Sequence, residues 1–153
     1  MVLAGLAGGL AANLAMLLTF RLFGFGWQGR GILLDPARQS EKLMVVRTKL
    51  EPLPLAVTDP APIIAGITLL GVGHAFIYRW LAPAWPAGLL PRALRLAFLL
   101  SFVSYLFWEF FTPFNQFGEP LPLILLELLF WAAVALTEGL AIAAVLEIPG
   151  KVR

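Results

Sequence analysis

The sequence predicts an all-α, polytopic membrane protein: four transmembrane helices in an up-and-down bundle, with one interfacial amphipathic helix in the first loop. Three observations predict it. Four apolar stretches, at about residues 2–23, 62–82, 93–114 and 121–146, are each long enough to cross a hydrocarbon core of about 30 Å at about 1.5 Å per helical residue. The 153 residues are 60% hydrophobic and only 13% charged, with a mean hydropathy of +0.88, whereas a soluble domain is about one quarter charged. Proline-rich segments fall between the apolar stretches and mark their ends. Little chain remains for a second unit, so residues 1–153 read as a single integral membrane domain.

The first stretch opens with Gly5, Gly8, Gly9, Ala12 and Asn13. Gly5 and Gly9 are four apart and Asn13 extends the same face, a spacing that lets two helix backbones approach closely with an amide hydrogen bond across them. Whether the partner is another helix of this chain or a second copy is open at this level. No Lys or Arg precedes the run, and it closes in Arg21-Leu22-Phe23-Gly24 without an Ala-x-Ala pattern, so it reads as a retained helix rather than a cleaved signal.

The polar segment 24–61 carries Trp27, a residue suited to the water–lipid boundary. Asp35-Pro36 has the form of a helix start, Asp as cap and Pro in the first turn. From there to residue 50, Leu43, Val46 and Leu50 fall on one helical face among Arg38, Glu41, Lys42, Arg47 and Lys49. That predicts an amphipathic helix over about 36–50 lying on the membrane surface; the plainer reading is a solvated loop helix. Glu51-Pro52-Leu53-Pro54 and Asp59-Pro60-Ala61-Pro62 then stiffen the approach to the second stretch.

The second stretch ends in Tyr78-Arg79-Trp80, where the arginine snorkels and the rings anchor. Residues 83–88 turn the chain, and Pro91-Arg92 and Arg95 open the third stretch. Prolines at 113 and 120 bracket the connection to the fourth, which Ile148-Pro149-Gly150 ends. Four alternating helices put the amino terminus, the 83–88 turn and the carboxyl terminus on one side (side A), and the first connection and the 115–120 turn on the other (side B). Side A carries Arg79, Arg92, Arg95, Lys151 and Arg153; side B carries Arg21, Arg30, Arg38, Lys42, Arg47 and Lys49. Five against six is too even for the positive-inside rule to assign an orientation, and the identity of the membrane is equally unreadable.

The candidate functional residues are the polar groups inside these stretches. Glu127, Trp131, Val134 and Glu138 lie on one face of the fourth, with the two carboxylates about 16 Å apart along the axis. Ser101, Tyr105, Glu109 and Thr112 share a face of the third; Gly71, His74 and Tyr78 share one of the second. A lipid-facing carboxylate costs a few kcal/mol, so Glu127 and Glu138 are expected to face the bundle interior. Such groups either fix helix register or serve a function, and the pattern alone does not separate the two. Depth predicts an ion pair of Arg21 with Glu109 or Glu127, since all three lie toward side B. His74 sits near the middle, where a neighbouring carboxylate would allow a proton relay, although a lone membrane histidine is more often a satisfied contact. Asn115, Gln116 and Glu119 form either a polar mouth over the Glu109/Glu127 level or a connection that the prolines merely stiffen.

Composition excludes several classes. A net charge of +2, dispersed along the chain, gives no nucleic-acid surface. Without cysteine there is no disulfide, no thiolate catalysis and no cysteine-held metal. The chain has no Gly-rich phosphate loop, no His-x-x-x-His and no Gly-x-Ser-x-Gly, and its single His cannot ligate a haem twice. No cofactor and no metal are expected, and an enzyme is disfavoured. The leading expectation is an accessory or scaffolding subunit whose partners are the lipid bilayer and other membrane proteins, or further copies of itself in a homo-oligomer. The alternative is a small transporter of protons, cations or a solute that uses Glu109, Glu127 and Glu138 with Tyr105 and His74. A lipid-modifying enzyme ranks behind both.

Overall fold

The computed structural model describes residues 1–147, and among them all regular structure is helical. Four helices are long and apolar enough to cross a membrane: α1 (Val2–Gly24), α3 (Ala61–Ala84), α4 (Leu89–Gln116) and α5 (Leu121–Glu147). A short α2 (Glu41–Thr48) lies in the first connection, and a single turn at Leu55–Thr58 precedes α3. The expected stop at 148–150, together with Lys151 and Arg153, lies outside the described residues.

The bundle is ordered α3–α1–α5–α4, with α1 and α5 in the middle. Neighbours run in opposite directions. Gly5 meets Val72 while Gly9 meets Thr68, and Gly8 meets Ile142 while Phe20 packs on Trp131. Gly139 meets Ala93 while Trp131 reaches Glu109. Alanines recur through the buried apolar set, among them Ala4, Ala12, Ala75, Ala93, Ala135 and Ala143. The large side chains are outside: Leu3, Leu69, Phe98 and Leu129 are between 69% and 77% exposed. Small residues inside allow short interhelical distances, and an outer surface this apolar marks contact with lipid or protein rather than water.

Gly5 and Gly9 find their partner within the chain. A Cβ on Gly5 would strike the backbone of Val72, one on Gly9 would lie 2.5 Å from Thr68 Cα, and one on Gly71 would lie 2.6 Å from Gly5 O. Asn13 closes this contact, its Nδ2 donating to Thr68 Oγ1 (3.1 Å), to the Ile64 carbonyl (3.2 Å) and to the Gly9 carbonyl of its own helix (2.8 Å).

Several expected boundaries move. The 36–50 helix shortens to Glu41–Thr48, because the Asp35 carboxylate accepts from Ala37 N (3.0 Å) in a local turn and Ser40 takes the cap, its Oγ accepting from Leu43 N at 3.2 Å. With the helix over at Thr48, exposed Leu50 leaves the face that buried Leu43 and half-buried Val46 share. The third long helix starts at Leu89 rather than 93, directly after Gly88, whose φ of 116° breaks the chain direction.

Pro113 does not end α4. The helix instead widens to a π-helical path over Ser101–Tyr105 and again over Phe110–Gln116, with one α-helical turn, Leu106–Glu109, between them. A proline within a helix removes an N–H and clashes with the carbonyl four residues back, which here is Glu109; the wider turn relieves that clash. The last eight residues of α1, Leu17–Gly24, are π-helical as well.

Cysteines placed at Gln28 and Asn115 are expected to react with an impermeant reagent from one face of the bilayer, and a cysteine at Ala87 from the other; reaction of all three from one face would break the four-crossing topology. Gly9→Leu is expected to lower stability by about 2 kcal/mol or more, as overpacking against backbone does. Gly66→Ala, where a Cβ meets nothing within 4 Å, should be neutral or slightly stabilising in the same detergent unfolding assay.

Candidate functional site

The polar side chains form levels along α5, from side B to side A. At the side-B level, Glu109 of α4 is 1% exposed and Glu127 of α5 is 7% exposed. Glu109 accepts a hydrogen bond from Trp131 Nε1, and its Oε2 has no hydrogen-bond partner among the described residues. The Glu127 carboxyl lies beside that of Glu109. Two carboxyls side by side repel when both are ionised.

Arg21 does not neutralise this pair. Its side chain is exposed and makes no ion pair among the described residues. Shared depth is a sound constraint, but Arg21 points away from α4, which lies two helices off across the α3–α1–α5–α4 order. Trp131, one turn along α5 from Glu127, supplies the donor instead.

Above this level the connections close over the acids. Glu119, in the turn between α4 and α5, is buried, and its Oε1 accepts from Gln39 Nε2 at 2.5 Å. The same Gln39 nitrogen donates to the Leu33 carbonyl (3.1 Å), and Ser40 Oγ donates to the Phe117 carbonyl (2.7 Å). Lys42 Nζ donates to the Gln116 carbonyl. A polar mouth does not form. Asn115 and Gln116 leave their side chains exposed, while Glu119 turns inward beneath the first connection. Burial pushes the Glu119 carboxyl above its ordinary value of 4.5, and the charge of Glu109 adds to that; the Gln39 hydrogen bond and the Arg47 guanidinium pull the other way.

The middle level belongs to aromatic rings. Tyr105 of α4 stacks on Trp131 with centroids 4.4 Å apart and planes at 11°, and Phe20 of α1 packs on the same indole at 4.6 Å. Beyond them His74 Nδ1 lies 2.7 Å from Glu138 Oε1, both side chains buried, in a hydrogen bond whichever of the two carries the proton. Tyr105 is close enough to Glu138 to feel its charge. At the side-A level, Glu147 accepts from Tyr78 OH (2.7 Å) and from Arg92 Nη1 (2.7 and 2.8 Å to its two oxygens).

The structure thus joins Glu109 with Glu127, and His74 with Glu138, with Tyr105 between the two pairs. It leaves Arg21, Asn115 and Gln116 on the outside, and uses Gly5, Gly9 and Asn13 for packing. Sequence reasoning missed the Arg92–Glu147 pair, the indole donor of Trp131 and the Gln39–Glu119 bond. The depth argument applied to Arg21 finds Arg92–Glu147 when used at side A, since one opens α4 and the other ends α5. Gln39–Glu119 has no such signal, being set by how the loop folds. Among the described residues no three His, Asp or Glu side chains gather as a metal site.

No protein-family model matches the chain, and comparison with curated proteins and with solved structures finds no match.

Because the folded Glu119 carboxyl titrates above its ordinary range, burial disfavours its charged form. Its contribution to stability is complete below about pH 4.5 and is lost as pH rises through the folded value. Glu119→Gln keeps an oxygen for the Gln39 amide and removes the charge. The stability of the unmodified protein minus that of the variant should therefore fall as pH rises from 4.5 and then level off, measured by thermal unfolding across pH; a difference independent of pH would contradict this account.

Proposed function

We propose that the chain is an integral, multi-pass membrane protein of the accessory or scaffolding class, one that associates with other membrane proteins or with further copies of itself. Four membrane-length apolar helices with their large side chains outward support the membrane placement. In this reading α2 lies at the interface, with Leu43 turned inward.

The observation that carries the scaffolding role is the stacked Tyr105–Trp131 pair. Together with Phe20 it fills the space between the Glu109/Glu127 level and the His74/Glu138 level, where a conduit would need water. The polar groups on either side are turned to one another: Trp131 to Glu109, His74 to Glu138, Tyr78 and Arg92 to Glu147. Interhelical hydrogen bonds of this kind hold helix register at about 1 kcal/mol each. The outer face of α4 adds two stacked phenylalanine pairs, Phe98 with Phe102 and Phe107 with Phe111, at 6.1 and 5.3 Å, a rigid aromatic surface suited to a partner helix.

One observation favours proton movement as a second reading. Glu109 Oε2 has no hydrogen-bond partner beside the Glu127 carboxyl, and two adjoining buried carboxyls suit the holding of an exchangeable proton.

The double variant Glu127→Gln, Glu138→Gln separates the two, because Gln keeps size and hydrogen bonding while removing charge. The scaffolding reading expects reconstituted vesicles to show no flux under a proton or cation gradient, and expects the variant to lose stability or assembly. Flux through the unmodified protein that the variant loses while staying folded would reverse the order of the two readings.

A further inference from the structure

Past the close contact at Gly5, Gly9 and Asn13, α1 and α3 no longer fill the space between them. Toward side B a cavity of about 740 Å³ opens there, bounded by the side-B half of α1, the start of α3 and the first connection. Its walls are largely aliphatic, with Leu17 on one side and Ile64 and Ile67 on the other, and Asn13 stands at its inner end. Leu17 and Ile64 are exposed on membrane-length helices, so the wall is open toward the space lipid chains would occupy.

The charged residues of the lining are two, Arg21 and Arg47, and no Asp or Glu joins them. Neither arginine makes an ion pair among the described residues. Arg47 is held in place from the connection by stacking on the Phe25 ring, its guanidinium carbon 5.2 Å from the centroid. Arg21 lies less than one turn from the end of α1, and exposed Trp27 follows close behind, so both cations sit where an apolar helix gives way to a polar connection.

We propose that this groove is a binding site for one anionic phospholipid of the surrounding bilayer, its phosphate held by Arg21 and Arg47 and one acyl chain laid along Leu17, Ile64 and Ile67. The chemistry is complementary at both ends. Guanidinium groups suit phosphate geometry, and a basic pocket between membrane helices recognises anionic headgroups. The volume lies within the range of small-molecule sites. A soluble anion would use the arginines and leave the aliphatic wall unexplained; a zwitterionic lipid brings the same phosphate but adds a headgroup cation, which the two arginines repel and for which the lining offers no carboxylate. The site is separate from the polar levels along α5, so it stands whether or not the scaffolding reading does.

The test uses the full-length protein in a neutral detergent, titrated with phosphatidylglycerol or phosphatidylcholine of equal chain length and read by native mass spectrometry. One phosphatidylglycerol should be retained per chain, at least tenfold in preference to phosphatidylcholine. The Arg21→Gln, Arg47→Gln double variant should bring that ratio close to one with helical content unchanged. If the double variant loses helical content, each single variant is expected to cut the preference at least threefold. Ile64→Trp fills the groove and should lower phosphatidylglycerol retention at least fivefold, and millimolar inorganic phosphate should leave it unchanged. Equal retention of the two lipids by the unmodified protein, a preference that survives loss of the arginines, or displacement by phosphate alone would each overturn the proposal.

Discussion

The rest of the structure depends on how closely α1 approaches its two neighbours. On one face Gly5 and Gly9 lie against the α3 backbone at Thr68, Gly71 and Val72. On another, Gly8 lies against α5, where a Cβ would come within 2.5 Å of Ile142 Cγ1 and 3.4 Å of Glu138 Cγ. The Glu138 side chain therefore runs past α1 at Gly8, where no side chain blocks it, and reaches His74 on α3 at 2.7 Å. A methyl group at position 8, or a shift of α3 by a bond length at Gly5 and Gly9, would pull that pair apart. Helix packing in a lipid environment has no hydrophobic drive between helices, so van der Waals contact and interhelical hydrogen bonds must supply the association. Glycines that let both happen along a single helix explain why α1, which carries no titratable group inside the bundle, organises those of its neighbours.

Titratable groups inside such a bundle are expensive, and the structure shows how the expense is met. Three of the buried or half-buried carboxylates are bonded from a different helix: Glu109 by Trp131, Glu138 by His74, Glu147 by Arg92 and Tyr78. Breaking one partner leaves the other desolvated and unsatisfied, which is why such pairs specify register more strongly than they add net stability. Compensation is incomplete at two buried atoms, Arg92 Nε and the Glu109 Oε2 oxygen beside Glu127. Glu109 lies between the two π-helical segments of α4, so one of these unsatisfied atoms and an irregular stretch of backbone occupy the same place. π-helical turns inside α-helices occur frequently at functional sites.

The helical class, the four long helices and the burial of Glu127 and Glu138 were legible because each follows from length or period, properties a single segment carries by itself. Which groups meet was not, because pairing depends on helix order. Arg21 and Glu127 share a depth, yet their directions differ, and the order α3–α1–α5–α4 is written in no single segment. The path of α4 through Pro113 was hidden for a related reason. A proline usually ends a helix, and continuing by widening the turn depends on the packing of α4 against α5. The first connection was the least readable part. Its helix start moved from Asp35 to Ser40, because the Asp35 carboxylate was taken by a turn of its own and Gln39 was drawn inward to Glu119.

That connection links the two halves of the molecule's chemistry. Leu33 is fully buried and fits against Gly24, where a Cβ would lie 2.7 Å from Leu33 Cδ1, and it shares a core with Phe20 and Leu123. From this anchor the chain runs one way to Gln39 and Ser40, which bond the turn between α4 and α5 and so cover Glu119. It runs the other way to Phe25, on which Arg47 stacks beside the groove between α1 and α3. Arg47 also acts electrostatically on Glu119. An anion held at Arg47 would weaken that cationic influence, and occupancy of the groove would then be linked to the proton on Glu119, each shifting the other by the same free energy. The loop therefore covers Glu119 on one side and borders the groove on the other, and buried Leu33 anchors the stretch between them.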